Sequence, residues 1–149
     1  MSLIDKLERF LSTRGLKMTS QRKVILETLE SIPYHVTLDE LLVAVQQNRS
    51  GVGQATIYRT MKLFVEAEIV EEHRFDDGIT RYEIYEEGEH HDHLICLSCG
   101  KIIEFEDELI EERQNAIAEQ FGIRITTHKM ELYGHCVDIK ACRAHKQNS

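Results

Sequence analysis

The stretch QATIYRTMKLFVEAEIVEEHRFDDGITRYEIY, residues 54 to 85, decides the fold of the N-terminal half. Toward its start Ile57, Met61, Phe64 and Val65 recur at helical spacing and share a face, while Tyr58, Arg59 and Lys62 point elsewhere. Toward its end, runs of strand-forming residues lie on either side of Asp76-Asp77-Gly78, the composition of a β-hairpin. Working outward, three more helices precede it. Leu3, Leu7, Phe10 and Leu11 make an apolar stripe that Gly15 ends. Thr19 caps a second helix, with Val24, Ile25 and Leu29 inward and Pro33 barring its continuation. Thr37 and Glu40 have the spacing of a capping box, followed by Leu38, Leu41, Leu42 and Val45. Helices followed by a hairpin are the order of a winged helix-turn-helix.

The polar, glycine-containing EEGEH (86–90) reads as a hinge, dividing a winged-helix domain, 1–85, from a second unit, 91–149. In the latter, 93–97 and 101–105 read as strands joined through Ser98-Cys99-Gly100. Glu106 to Phe121 reads as a helix with acids in its first turn, where the helix dipole favours them. IRITTHKMELYGHC (123–136) alternates in part and reads as a third strand. The expected class is α+β: a DNA-binding winged helix plus a small α/β unit.

A net charge of −8 argues at first against nucleic acid, but its distribution does not. Between Arg14 and Lys62 seven basic residues face four acidic ones, a net +3, whereas from Glu86 onward the balance is −6. A mildly basic half beside an acidic half suits a DNA-binding module joined to a cation-binding one. No apolar run is long enough to span a bilayer, and MSLIDKLERF lacks the apolar core of an export signal. A cytoplasmic protein without a membrane role is expected, in which the four cysteines have a metal or redox role rather than pairing as disulfides.

Cys96 and Cys99 form a C-x-x-C pair across a turn, and Cys136 and Cys142 a looser pair near the end of the chain. Four thiolates satisfy a tetrahedral zinc with no open position, the structural type. A redox C-x-x-C normally opens a helix, whereas this one lies between strands.

Beside it stands HHDH, residues 90 to 93. Alternate residues of a strand share a face, so His91 and His93 point one way and His90 and Asp92 the other. One ion cannot conveniently take all four, and the stretch feeds two mixed N/O sites. Glu104 adds a carboxylate, and His35 or Glu83 can join from the N-terminal half, in which case an ion ties the domains together. Imidazole with carboxylate suits Fe(II), Zn, Mn, Co or Ni. His73 and His145, standing alone, are expected to be solvated.

In a helix-turn-helix the second helix enters the major groove, which here places Tyr58 and Arg59 near base edges. Arg59 suits guanine or a phosphate and Tyr58 a thymine methyl, with a core aromatic as the alternative for Tyr58. Arg22 and Lys62 are phosphate candidates.

GLKMTSQR (15–22), GQATIYRTMKLF (53–64), HHDHLICLSCGKIIEF (90–105) and LYGHC (132–136) together resemble the ferric uptake regulator family of metal-dependent bacterial repressors, over nearly the whole chain. The resemblance implies a C-terminal dimerisation domain and a homodimer, with a tetramer as the higher alternative. It implies a regulatory site of His35, Glu83, His91, His93 and Glu104, a second site of His90, Asp92, Glu111 and His128, and structural zinc on the four cysteines. It implies that Tyr58 and Arg59 read DNA and that Lys17 enters the minor groove. The expected function is a repressor that binds a palindromic operator when loaded with Fe(II), Zn or Mn being able to substitute, and controls iron-uptake genes. Sensing of zinc, manganese, nickel or peroxide is the alternative within the family. Peroxide sensors tend to carry aspartate where Glu104 stands, which favours iron. A metallohydrolase is the rival from another class, but no H-E-x-x-H or deaminase signature is present.

Overall fold

The computed structural model describes residues 1–49, 51–86, 92–138 and 140. The chain divides into two compact units, Met1–Glu87 and Gly88–Ser149.

The first unit holds α1 (Leu3–Thr13), α2 (Ser20–Glu30), α3 (Leu38–Asn48), α4 (Gln54–Glu66), β1 (Val70–Arg74) and β2 (Thr80–Ile84). The helix starts follow the local chemistry. Thr19 Oγ1 accepts from Arg22 N at 3.2 Å. Thr37 Oγ1 accepts from Glu40 N at 3.1 Å, and Glu40 Oε1 accepts from Thr37 N at 3.4 Å, the expected capping box. Ser2 and Asp5 build a second such box on α1. Gly15 follows α1 at φ +69°, a conformation that costs glycine little.

The inward faces merge into one core, in which Leu7, Leu11, Ile25, Leu26, Leu41, Ile57, Met61 and Phe64 are buried. Leu26 is the residue missing from the expected stripe of α2, while Val24 is only partly buried. The core-facing arc of α2 is rotated toward Leu26 because α3 and α4 both pack on it.

The hairpin turns as its composition demands. Gly78, at φ +79°, donates to Phe75 O at 3.1 Å, and Asp77 Oδ1 accepts from Ile79 N at 3.0 Å. The strands pair antiparallel, with Glu71 opposite Glu83 and His73 opposite Arg81. An isolated bridge outside the hairpin sets the site. Val36 N donates to Tyr82 O at 3.0 Å and Tyr82 N donates to Val36 O at 2.8 Å. The loop before α3 is thereby stitched to β2, and His35 comes opposite Glu83.

The second unit holds β3 (Asp92–Cys96), β4 (Ile102–Phe105), α5 (Glu108–Gln120) and β5 (Glu131–Gly134). The sheet order is β4-β3-β5, antiparallel for β3–β4 and parallel for β3–β5. The third strand is much shorter than its alternation suggested. Among the described residues β3 spans Asp92–Cys96, and β5 pairs with it in parallel over 131–134. Arg124 to Lys129 form no strand. Ile95 is the only fully buried hydrophobic among the described residues of this unit, and α5 has none. Among the described residues no helix is long and apolar enough to cross a membrane.

Candidate metal centres and nucleic-acid face

Among the described residues, ligand-bearing side chains gather in four groups, one in the first unit and three in the second. In the first, the Val36–Tyr82 bridge brings His35 Nε2 to 3.1 Å from Glu83 Oε2. His73 Nε2 lies 2.7 Å from the other oxygen of the same carboxylate. The expectation that His73 is merely solvated is therefore wrong: its side chain is 18% exposed and stacks on Phe75 at 5.6 Å between centroids. The register held the signal, because His73 shares a strand face with Glu71, whose partner is Glu83. His35, read alone as a loop histidine, is buried.

In the second unit the β3–β4 register sets His93 directly opposite Glu104, with Nε2 and Oε1 4.0 Å apart. Asp92 faces the other way, as strand alternation requires, and is fully buried. Its Oδ1 is 2.9 Å from His128 Nε2. His128 and Glu111 line the same cleft of about 260 Å³ between α5 and the segment before β5. His90 and His91 lie outside the described residues, so the sets are seen as His35 and His73 with Glu83, His93 with Glu104, and Asp92 with His128, while Glu111 lines the cleft beside His128. All offer imidazole nitrogen and carboxylate oxygen, which fits a first-row divalent cation.

The fourth group is made of sulfur. The Sγ atoms of Cys96, Cys99 and Cys136 lie within 4.8 Å of one another, and those of Cys96 and Cys136 are 3.2 Å apart. Leu97 N donates to Gly134 O at 2.7 Å, which holds the knuckle of Cys96 and Cys99 against the end of β5. Ser98, not anticipated as a member of this site, accepts from Cys136 N at 3.3 Å and pairs with His135 Nδ1 at 3.0 Å. Three thiolates so close suit a zinc ion that draws in a fourth ligand. Cys142 lies outside the described residues.

On the first unit the outer face of α4 is polar and exposed. Tyr58 is 46% exposed, which removes the reading of a core aromatic, and the Lys62 ammonium sits 4.8 Å from its ring centroid. Arg59 and Lys62 line a groove of about 450 Å³ against Gln21 and Arg22 of α2. Lys17, also exposed, gives its carbonyl to the Arg22 guanidinium. The basic groups thus form one surface made by the start of α2 and the exposed side of α4, the geometry of a recognition helix.

A winged helix with a basic recognition face, joined to a unit carrying N/O and sulfur ligand clusters, defines a metal-responsive DNA-binding regulator. The chain belongs to the Ferric uptake regulator family, whose model matches residues 13–133. A ferric uptake regulation protein of Campylobacter upsaliensis is 44% identical over 138 residues, covering 91% of this chain and 88% of that one. The Helicobacter pylori ferric uptake regulator, described as having three functional metal binding sites, matches with a TM-score of 0.82 at 30% identity, covering 94% and 95% of the two chains. A zinc-bound manganese uptake regulator matches with a TM-score of 0.76 at 42% identity, covering 89% and 99%. The chain is a metal-dependent transcriptional repressor and not an enzyme, so the metallohydrolase reading falls away.

Proposed function

We propose that this chain silences iron-uptake genes in the cytoplasm, as a homodimer on a two-fold operator, when Fe(II) fills a site drawn from both units. The regulatory ligands would be His35, Glu83, His91, His93 and Glu104. The observation that carries the reading is the bridge that sets His35 against Glu83 at 3.1 Å across 48 residues of chain. A cation bound there supplies the positive charge that donors of both units share. His35 and Glu83 then report on the posture of the winged helix, because they sit on the loop before α3 and on β2. Coupling requires the ligands to bind the cation more tightly in the DNA-competent arrangement. Such couplings are typically about 1–3 kcal/mol, or about 5- to 150-fold in affinity.

His90, Asp92, Glu111 and His128 would form a second site within the C-terminal unit. Cys96, Cys99, Cys136 and Cys142 would hold structural zinc. A second copy of the chain suits the apolar surface of this unit. Leu94, Ile103 and Leu132 are adjacent on one sheet face and 37%, 40% and 45% exposed, and Phe121 at the end of α5 is 74% exposed. Contiguous apolar surface of this kind marks an interface. Two-fold pairing of recognition helices would match a pseudo-palindromic operator, and dimers could pair in turn into tetramers.

The test is anaerobic DNA binding on a promoter duplex across Fe(II), Mn(II) and Zn(II) at matched free concentrations. Affinity is expected to rise at least about tenfold with Fe(II), within the usual range of such couplings, and His91→Ala/His93→Ala is expected to abolish the rise. Equal binding by the stripped and loaded chains would overturn the reading. The donor set accepts manganese and zinc as well, and the 42% identity to a zinc-bound manganese uptake regulator makes those arms the decisive comparison.

DNA readout has its own expected result. Arg59→Ala should cost about 1–3 kcal/mol of operator affinity and relax the preference at one base pair. Lys62→Ala should weaken all sequences alike and lower the salt slope by about one. Fluorescence anisotropy over a salt series separates the two. An Arg59→Ala chain with unchanged preference at every position would show that Arg59 does not read a base.

A further inference from the structure

We propose that His73 is a metal ligand, and that His35, His73 and Glu83 form a two-imidazole, one-carboxylate site belonging to the N-terminal unit itself. The proposal rests on the metal-regulated reading above and adds a ligand to it. His35 and His73 each turn Nε2 to a different oxygen of Glu83, at 3.1 and 2.7 Å. The three donor atoms lie within 4.8 Å of one another. A hydrogen bond that only stabilised the hairpin would need one imidazole. Two imidazoles converging on one carboxylate make the donor set that facial Fe(II) sites use, with further positions left to other ligands.

The triad is also held from behind, as a preorganised site must be. Glu83 and His73 stand on paired strands, and His35 is fixed by the Val36–Tyr82 bridge. The His73 ring lies 4° from parallel with Phe75, which is 3% exposed. His35 meets His73 edge-on at 5.2 Å and Phe75 at 6.3 Å. Glu71 Oε2 lies 3.7 Å from His73 Nε2, so a second carboxylate borders the site. This arrangement lets the N-terminal unit capture a cation weakly on its own, before the ligands of the C-terminal unit complete the shell.

The two roles of His73 differ in where the ring carries its proton. As a neutral partner of Glu83, His73 donates from Nε2–H. As a ligand, its Nε2 gives its lone pair to the cation and the proton sits on Nδ1. The test uses the full-length chain, labelled with 15N at histidine and titrated with Zn(II). The His73 ring signals are assigned by their loss in His73→Gln. On zinc saturation, Nε2 of His73 is expected to lose its proton and take the shift of a metal-bound nitrogen. In chelator competition, His73→Gln should weaken the exchangeable site about 10- to 100-fold. In a His91→Ala/His93→Ala background a weaker site should persist, and His73→Gln should remove it. Circular dichroism of the metal-free variants checks that they fold, so that the signals lost in His73→Gln are those of His73.

A His73 ring that still donates from Nε2–H to Glu83 at zinc saturation overturns the proposal. So does His73→Gln binding zinc within twofold of wild type. The underlying reading fails separately, if His91→Ala/His93→Ala leaves metal-dependent operator binding intact whatever His73 does.

Discussion

Cys136→Ser is expected to melt the C-terminal unit at ordinary temperature while leaving the winged helix folded. The reason is the poverty of that unit's core. Among its described residues Ile95 is the only fully buried hydrophobic, and α5 buries none. A unit this small, with so little apolar area removed from water, needs a staple. The sulfur cluster is placed to be that staple, since Cys96 ends β3, Cys99 lies in the turn before β4, and Cys136 follows β5. Structural zinc is worth roughly 10–16 kcal/mol of apparent binding energy at pH 7. That is as large as the net stability of about 5–15 kcal/mol typical of a whole domain. Removing one thiolate should therefore abolish the unit's cooperative transition in calorimetry and release zinc to a chromophoric chelator. Chelation of the wild-type chain should reproduce the effect. Ser98→Ala, which removes only the hydroxyl beside Cys136 N, should cost about 1 kcal/mol. A Cys136→Ser chain that keeps its zinc and both transitions would show that sulfur does not hold this unit together.

The second large effect is expected at the tip of the wing. Arg81 is 4% exposed, and its Nη2 lies 2.8 Å from Asp77 Oδ2. Its guanidinium also covers Phe75 at 5.9 Å. Asp77→Ala would remove the carboxylate 2.8 Å from a guanidinium that is 4% exposed, and breaking such a buried pair costs about 3–5 kcal/mol. Denaturant unfolding should show the loss in the N-terminal transition. The same change should weaken cation binding at His73 and Glu83, because both strands lead from this turn.

The pH dependence follows from the same pair. Burial pushes the Asp77 carboxyl up, but the Arg81 hydrogen bond and the Ile79 N–H outweigh it and hold the group below its ordinary value. A carboxyl depressed in the folded state contributes stability that is fully present above its unfolded pKa, about 3.9. That contribution is lost as pH falls through the lower, folded value. Wild type should therefore lose N-terminal stability below about pH 4, with Asp77→Ala losing less over the same range. Asp77→Asn keeps an acceptor for Ile79 N without the charge, so it separates the turn from the ion pair. Equal stability of wild type and Asp77→Ala at neutral pH would mean that the Asp77–Arg81 pair does not stabilise the wing.

The helices of the first unit were legible because their signals are local. Capping at Thr19 and Thr37, the breaks at Gly15 and Pro33, and the apolar spacing of α4 each act within a few residues. The hairpin was legible from Asp76-Asp77-Gly78 for the same reason, and strand alternation alone separated Asp92 from His93. The stretch from Arg124 to Lys129 was not legible. It alternates like a strand, but a strand forms only where a neighbour offers backbone partners, and among the described residues the pairing with β3 covers only 131–134.

The chain by itself determined which chemistries are present: a basic and aromatic face on α4, imidazoles and carboxylates around residue 90, and thiols at spacings that suit zinc. Only the tertiary structure decided which of them meet. His35 reaches Glu83 through a single bridge between Val36 and Tyr82, and His73, unremarkable when read alone, joins them through a hairpin register. The physical reason is range. Caps, turns and periodicity are set by neighbours within a turn of chain, whereas a ligand set is set by pairings across tens of residues, and a shift of one residue in register turns each side chain to the other face.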